Sequence, residues 1–254
     1  MATGMSQAYS RAWPDLCSDE CVDAGDPRND GTPTFIRQLP PAVADAVASL
    51  GREQAFSAQE IVSHQGSPPD SVFLLVSGVV KVTALSPSGR EVILGFRAAG
   101  ELLGEYSALH GLPRSGNVVG HEAGTLLRIS AQRFRRCAFT HPEILAAMLA
   151  VSGHRLHQSD IHRVSYAAHD VPYRTAATLL DWATRYGVDT RDGVRIRLRV
   201  SRRELSQVVA ASEKSVDDVL TMLRRSGLVT TGRRLLVVSD IDRLRHWLEE
   251  RPDQ

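Results

Sequence analysis

The sequence is poor in cysteine and aromatic residues and carries almost no net charge. Three cysteines in 254 residues, Cys17, Cys21 and Cys137, are too few for a disulfide framework. That excludes the small scaffolds that rely on bridges instead of a core. No stretch approaches the roughly 18 uncharged apolar residues of a membrane helix, and the N-terminus shows no basic-then-apolar leader. A cytoplasmic protein with no membrane partner is therefore expected. The histidines and carboxylates fall on expected strands and helices without the grouping of a metal centre or a hydrolytic triad, and His110 and His121 stand alone. Neither an enzyme nor a resident metal or cofactor is expected.

What is present is unevenly placed. The formal charge of +1 conceals a gradient: residues 1–34 hold six Asp/Glu against two Arg, −4, and residues 171–254 hold sixteen Lys/Arg against twelve Asp/Glu, +4. Nucleic acid would bind at the basic end. An apolar content of 43% over 254 residues supports one large or two small domains.

Residues 1–34 are rich in Asp, Ser, Gly and Pro without apolar period, which predicts a flexible acidic tail. Cys17 and Cys21 stand there at C-x3-C spacing. With Cys137 they make three thiols where an iron–sulfur cluster takes four ligands, so they are read as free. Residues 35–140 change character twice. A helix is predicted after Pro40-Pro41, with Val43, Val47 and Leu50 on one face. Short strand-like runs follow over residues 52–135, separated by turn signals at Gly66-Ser67-Pro68-Pro69, Pro87-Ser88-Gly89 and Ala99-Gly100. This pattern predicts an antiparallel barrel or roll.

One irregular stretch in that roll is dense in chemistry: Gly104-Glu105-Tyr106-Ser107-Ala108-Leu109-His110-Gly111-Leu112-Pro113-Arg114-Ser115-Gly116-Asn117. It sets one carboxylate and one guanidinium nine positions apart across a Gly-Leu-Pro bend. A helical turn opening at Gly104 presents backbone N–H groups to an anion. Arg114 can fork a phosphate, Ser115 adds a hydroxyl donor, and Glu105, an acceptor only, suits a ribose hydroxyl. The spacing alone fits a surface ion pair equally well.

Residues 141–169 read as one long helix, about 40 Å at ~1.5 Å per residue, with Leu145, Leu149, Leu156, Ile161 and Val164 along one side. Such a seam calls for a partner helix, while Ile144 to Met148 also suit packing on the roll. In residues 170–254, Asp170 is a candidate N-cap ahead of a helix over 174–186, followed by a strand over 194–200. Ser201 and Glu204 form a capping box, Ala210-Ala211 leaves room for a tight turn, and Ser212 caps a second helix with Val216, Val219, Leu220 and Leu223 inward. Gly232-Arg233-Arg234 reads as a hairpin tip, and an amphipathic helix over 239–250 closes the chain.

The stretch 104–117 resembles the phosphate-binding cassette of cyclic-nucleotide-binding domains, Phe-Gly-Glu-Leu-Ala-Leu, a bend, then Pro-Arg-Ser/Thr/Ala-Ala. Leu103, Tyr106 and Gly116 depart from that pattern. Residues 61–66, 72–82 and 89–94 follow the β-roll strands of the same domain, and 200–228 resembles the helix-turn-helix of the cyclic AMP receptor and fumarate-nitrate regulator superfamily. The resemblance spans roughly residues 35–239. It implies an α+β chain with a flexible acidic tail (1–34), a cyclic-nucleotide-binding β-roll (35–140), a dimerisation helix (141–169) and a C-terminal winged helix-turn-helix with an added helix (170–254).

The implied function is a ligand-responsive transcription regulator, homodimeric, acting on a double-stranded DNA operator and working with RNA polymerase. The implied effector is cyclic AMP first, with cyclic GMP or cyclic di-GMP behind it. Gly104, Glu105, Tyr106, Arg114 and Ser115 would hold the ligand, joined by Ser159 and Asp160 at the base by register from Arg155-Leu156. DNA contacts would come from Ser201, Arg202, Arg203, Ser212, Glu213, Lys214, Ser215, Asp217, Asp218, Arg233 and Arg234. Cyclic AMP receptors carry two hydroxyl residues at the base, so Asp160 points toward guanine. The recognition pattern Ser-Arg-Glu-Thr-Val-x-Arg becomes Ser212-Glu213-Lys214-Ser215-Val216-Asp217-Asp218, with acids in place of both arginines. Two other readings stay open: the same fold sensing a guanine nucleotide or acting without ligand, and a dimeric protein-interaction module with weak DNA binding.

Overall fold

The computed structural model describes residues 34–86, 89 and 91–251. The acidic tail with Cys17 and Cys21, and the Pro87-Ser88 part of one expected turn, lie outside them. Two compact units divide the described chain, one up to residue 154 and one from residue 155.

The first unit opens with a 3-10 turn, Ile36–Gln38, and helix α1, Pro41–Ser49, whose proline sits at the helix start where its missing N–H costs nothing. The strands are β1 Arg52–Phe56, β2 Ile61–Ser63, β3 Ser71–Leu85, β4 Glu91–Arg97, β5 Leu102–Leu103 and β6 Asn117–Ser130. They form one antiparallel sheet in the order β1-β6-β3-β4, with β2 added on β6 and β5 on β3. The long pair β3 and β6 runs from Ser71 opposite Ser130 to Thr83 opposite Asn117, bulging at several points that curl the sheet into a roll. Inside the curl pack Phe56, Phe73, Leu75, Val80, Leu103, Val118 and Leu126.

Helix α2, Glu105–His110, interrupts the roll between β5 and β6. Helix α3, Ala131–Thr140, closes it. The strand-like reading to residue 135 did not foresee α3. Its buried positions, Ala131, Phe134 and Ala138, are helically spaced but hidden among arginines. With Phe35, Val47 and Ile144 they form a second core beneath α1, where each large side chain contributes about 1.5–3 kcal/mol by leaving water.

Helix α4, Pro142–Ala168, is unbroken over 27 residues. Ile144, Ala147, Met148 and Val151 are buried in that second core, the first three within the stretch read as packing on the roll, whereas Leu149, Leu156, Ile161 and Val164 are exposed, Leu149 at 75%. Its later part belongs to the second unit, where the Tyr166 hydroxyl donates to the Val208 carbonyl and the Arg174 guanidinium lies 5.4 Å over the Tyr166 ring.

The rest of the second unit is α5 Val171–Tyr186, β7 Gly187–Thr190, β8 Gly193–Ile196, α6 Arg202–Val208, α7 Glu213–Arg225, β9 Val229–Gly232, β10 Leu235–Val238 and α8 Ile241–Glu249. Asp170 caps α5, its Oδ1 accepting the Tyr173 N–H at 2.9 Å. The sheet order is β7-β8-β10-β9. The expected strand over 194–200 is shorter, because β8 meets β10 only as far as Ile196 opposite Leu236, after which β10 turns into the hairpin. Strand β7 is a neighbour that the sequence reading lacked. Arg233 and Arg234 form the two-residue tip joining Gly232 to Leu235, with Arg234 at φ +52°.

Candidate functional site

Gly104 is the hinge of the cassette. It precedes α2 at φ +75°, a backbone conformation that costs a side-chain-bearing residue roughly 1–2 kcal/mol. A Cβ there would also stand 2.0 Å from Arg114 Nη1, so glycine serves both the turn and the close approach. Gly116 answers to a second close approach. A Cβ would lie 2.6 Å from the Thr83 carbonyl on β3, which explains the departure from alanine.

Arg114 is 5% exposed. Its Nη1 donates to the Gly104 carbonyl at 3.0 Å and its Nη2 to the Ser71 carbonyl, with Asp70 Oδ1 3.7 Å from Nη2. The Phe73 ring centre lies 5.6 Å from the guanidinium carbon. The main chain is bracketed too: Gly66 N–H donates to Arg114 O at 2.8 Å and Arg114 N–H to Ser67 O at 3.0 Å. Burial lowers the guanidinium pKa from its ordinary value, and the Asp70 and Glu105 carboxylates pull it back up. Arg114 Nε is buried and has no hydrogen-bond partner among the described residues, an expensive state unless another acceptor arrives.

Glu105 is buried in the first turn of α2, while Ser115 and Tyr106 are exposed, Tyr106 against His110 with ring centres 4.6 Å apart. Gly104, Glu105 and Arg114 are thus brought together, with Ser115 next in chain. Ser159 and Asp160 belong to the second unit. Both are exposed there, and Asp160 Oδ1 is 3.2 Å from Arg163 Nη1.

The sequence reading missed Asp70 and Ser71. The Ser71 hydroxyl donates to Asp70 Oδ1 at 2.8 Å and Arg128 Nη2 to Oδ2 at 2.9 Å. The serine bond holds the Asp70 carboxyl below its usual range against an opposing burial penalty, and the Arg128 and Arg114 charges add to it. The available signal was an acid at the end of a Pro-Pro turn, directly before an apolar strand.

In the second unit the capping box closes as expected: Ser201 Oγ accepts Glu204 N–H at 3.1 Å while Glu204 Oε2 accepts Ser201 N–H at 2.9 Å. Ala210, at φ +52°, turns the chain into α7. Ser212 caps that helix by accepting Ser215 N–H at 3.0 Å. Val216, Val219, Leu220 and Leu223 are buried, which leaves Glu213, Lys214, Asp217 and Asp218 exposed on the other face. Asp217 Oδ1 lies 3.2 Å from Arg202 Nε. Arg203, Arg233 and Arg234 are exposed.

Among the described residues no group of three or more His, Cys, Asp or Glu is placed to hold a metal ion. Nor is any helix there long and apolar enough to cross a membrane. Cys137 is half-buried, and burial pushes its thiol pKa up, away from reactive thiolate character.

Two family models match in the order of the two units: the cyclic nucleotide-binding domain over residues 53–141 and the Crp-like helix-turn-helix domain over residues 173–247. The chain belongs to the cyclic AMP receptor and fumarate-nitrate regulator superfamily. Within that superfamily it is 29% identical over 185 residues to the cAMP-activated global transcriptional regulator CRP of Escherichia coli, covering 72% of this chain and 87% of the relative. It is 26% identical over 202 residues to the CRP-like cAMP-activated global transcriptional regulator of Mycobacterium tuberculosis, covering 78% and 90%. Among solved structures, the c-di-GMP responsive global regulator CLP of Xanthomonas campestris shares the fold at a TM-score of 0.68 with 23% identity, covering 78% of this chain and 99% of that one. The superfamily fold, a roll, a long helix and a winged helix-turn-helix, is the one this chain adopts.

Proposed function

We propose that this protein is a homodimeric transcription regulator controlled by a cyclic nucleotide, cyclic AMP first, bound beside Arg114. One observation carries the reading. A buried guanidinium with an unpartnered Nε stands at the opening turn of α2, where a phosphate supplies the missing acceptor and charge-assisted hydrogen bonds are strongest. Glu105 takes the ribose hydroxyl, and Gly104 lets the ligand come close. The exposed apolar side of α4 favours pairing of two chains, which sets two copies of α6 and α7 on a two-fold operator. RNA polymerase is the partner that a regulator of transcription acts through, and the cytoplasm is its place of action. The chain carries no reaction of its own.

Calorimetry of the purified chain against cyclic AMP, cyclic GMP and cyclic di-GMP tests this reading. Cyclic AMP is expected to bind, and Arg114→Lys to weaken it at least tenfold, since lysine keeps the charge but loses the fork. Equal heats for wild type and Arg114→Lys would overturn the cassette assignment, and binding of a guanine nucleotide alone would overturn the choice of base. The lysine variant is preferred to alanine because alanine would remove the guanidinium donor from both the Gly104 and Ser71 carbonyls and leave a void in the buried site.

A further inference from the structure

Beyond β8 the chain keeps a strict two-residue alternation. Ile196, Leu198 and Val200 are 3%, 2% and 5% exposed, while Arg195, Arg197 and Arg199 between them face solvent. The backbone is held on both flanks: β8 pairs with β7 and β10, and Arg197 N–H donates to Tyr186 O at 2.8 Å. The three guanidiniums are therefore displayed in a row, alternate positions on extended chain lying about 6.6 Å apart. Three other arginines in this unit have acidic partners: Arg202 meets Asp217, Arg185 meets Asp181 and Arg245 meets Asp242. Among the described residues, the side chains of Arg195, Arg197 and Arg199 have neither ion pair nor hydrogen bond.

The neighbouring recognition face makes this row informative. Helix α7 exposes Glu213, Asp217 and Asp218 against one Lys214, a negative surface set against a polymer with one negative charge per ~1.7 Å. Phosphate grip has to come from elsewhere, and only two residues separate Arg199 from Arg202, the start of α6. A bland role exists for the arginine stems: Arg195 stands opposite Val237, which is 6% exposed, and its methylenes can cover that valine. It accounts for one stem, not for three unpaired charges on one side of the chain.

We infer that Arg195, Arg197 and Arg199 form a phosphate-binding surface for duplex DNA, so that β8 and the segment after it supply sequence-independent grip and α7 is left to read bases. This rests on the reading of the second unit as a DNA-binding domain, and the test separates the two. Fluorescence anisotropy with a random-sequence duplex is followed across about 50–200 mM salt for wild type, for Arg195→Gln/Arg197→Gln/Arg199→Gln, and for the matching triple lysine variant, each checked for folding by circular dichroism. The slope of log affinity against log salt should fall by about 2.7 in the glutamine variant, roughly 0.9 for each phosphate that is no longer neutralised, with affinity near 0.1 M down at least tenfold. The lysine variant, which keeps charge and stem, should retain the wild-type slope. A glutamine variant with the wild-type slope overturns the inference, as does a loss confined to a single-stranded RNA probe. A wild type that binds no duplex at low salt overturns the DNA-binding reading itself.

Discussion

Arg114, in the roll, is 5% exposed and hangs from two backbone carbonyls with Asp70 3.7 Å away. Arg202, in the second unit, has a 34% exposed side chain and lies 3.2 Å from Asp217. The first pairing is built into the fold, since taking the guanidinium away removes a donor from two carbonyls beside it, and its acidic neighbour offsets part of the burial penalty on that charge. The second is a surface contact of the kind worth about 0–1 kcal/mol, easily exchanged for a phosphate. Under the proposed function, ligand recognition would thus rest on buried architecture and nucleic-acid recognition on exchangeable surface charge.

The sharpest way to break this contrast is Gly104→Ala. The left-handed backbone and a Cβ 2.0 Å from Arg114 Nη1 both oppose it, so cyclic-nucleotide binding should vanish in calorimetry and the roll's melting temperature should drop. Binding of a random duplex should persist at the wild-type level. Nucleotide binding left intact would mean that Arg114 can be presented without this glycine.

The same contrast explains what could be read in the chain beforehand. The cassette was legible because its parts lie within fourteen consecutive residues, and because glycine, carboxylate and guanidinium each have few substitutes there. Its anchor was not, since Asp70 reaches Arg114 from 44 positions upstream through a loop with no periodic signal. Helix caps at Asp170, Ser201 and Ser212 were legible because each is a local bond. Strand β7 was not, because four residues, Gly187–Thr190, carry too short a pattern and owe their pairing to β8. The arginine row went unread for a different reason: single basic residues between apolar ones mark a strand's outer side before they suggest a partner.

A substitution of intermediate effect is Leu149→Glu. This leucine is 75% exposed in the single chain, so the variant should melt as the wild type does within roughly 0.5 kcal/mol. In light scattering it should shift from twice the chain mass toward one. A wild type already monomeric at micromolar concentration would remove the two-fold operator from the proposal.

The smallest expected effect lies on the DNA side. Asp217→Asn frees Arg202 from its 3.2 Å partner, so random-duplex affinity should rise a few-fold and the salt slope should steepen by about 0.9. Adding Arg202→Gln should cancel both gains. Unchanged affinity would show that Arg202 is turned to Asp217 even when DNA is bound, making that surface as fixed as the roll.

The bracket that joins Arg114 to Gly66 and Ser67 is made of main-chain groups alone. Mutation of side chains cannot cut it, and only a proline at position 66 or 114 would delete one of its donors. The main-chain seat of Arg114, the proposed phosphate ligand, is therefore insulated from side-chain substitution, while exposed Tyr106 and Ser115 beside it are free to vary. If the proposed function holds, a lineage can change what this site prefers without loosening how it holds.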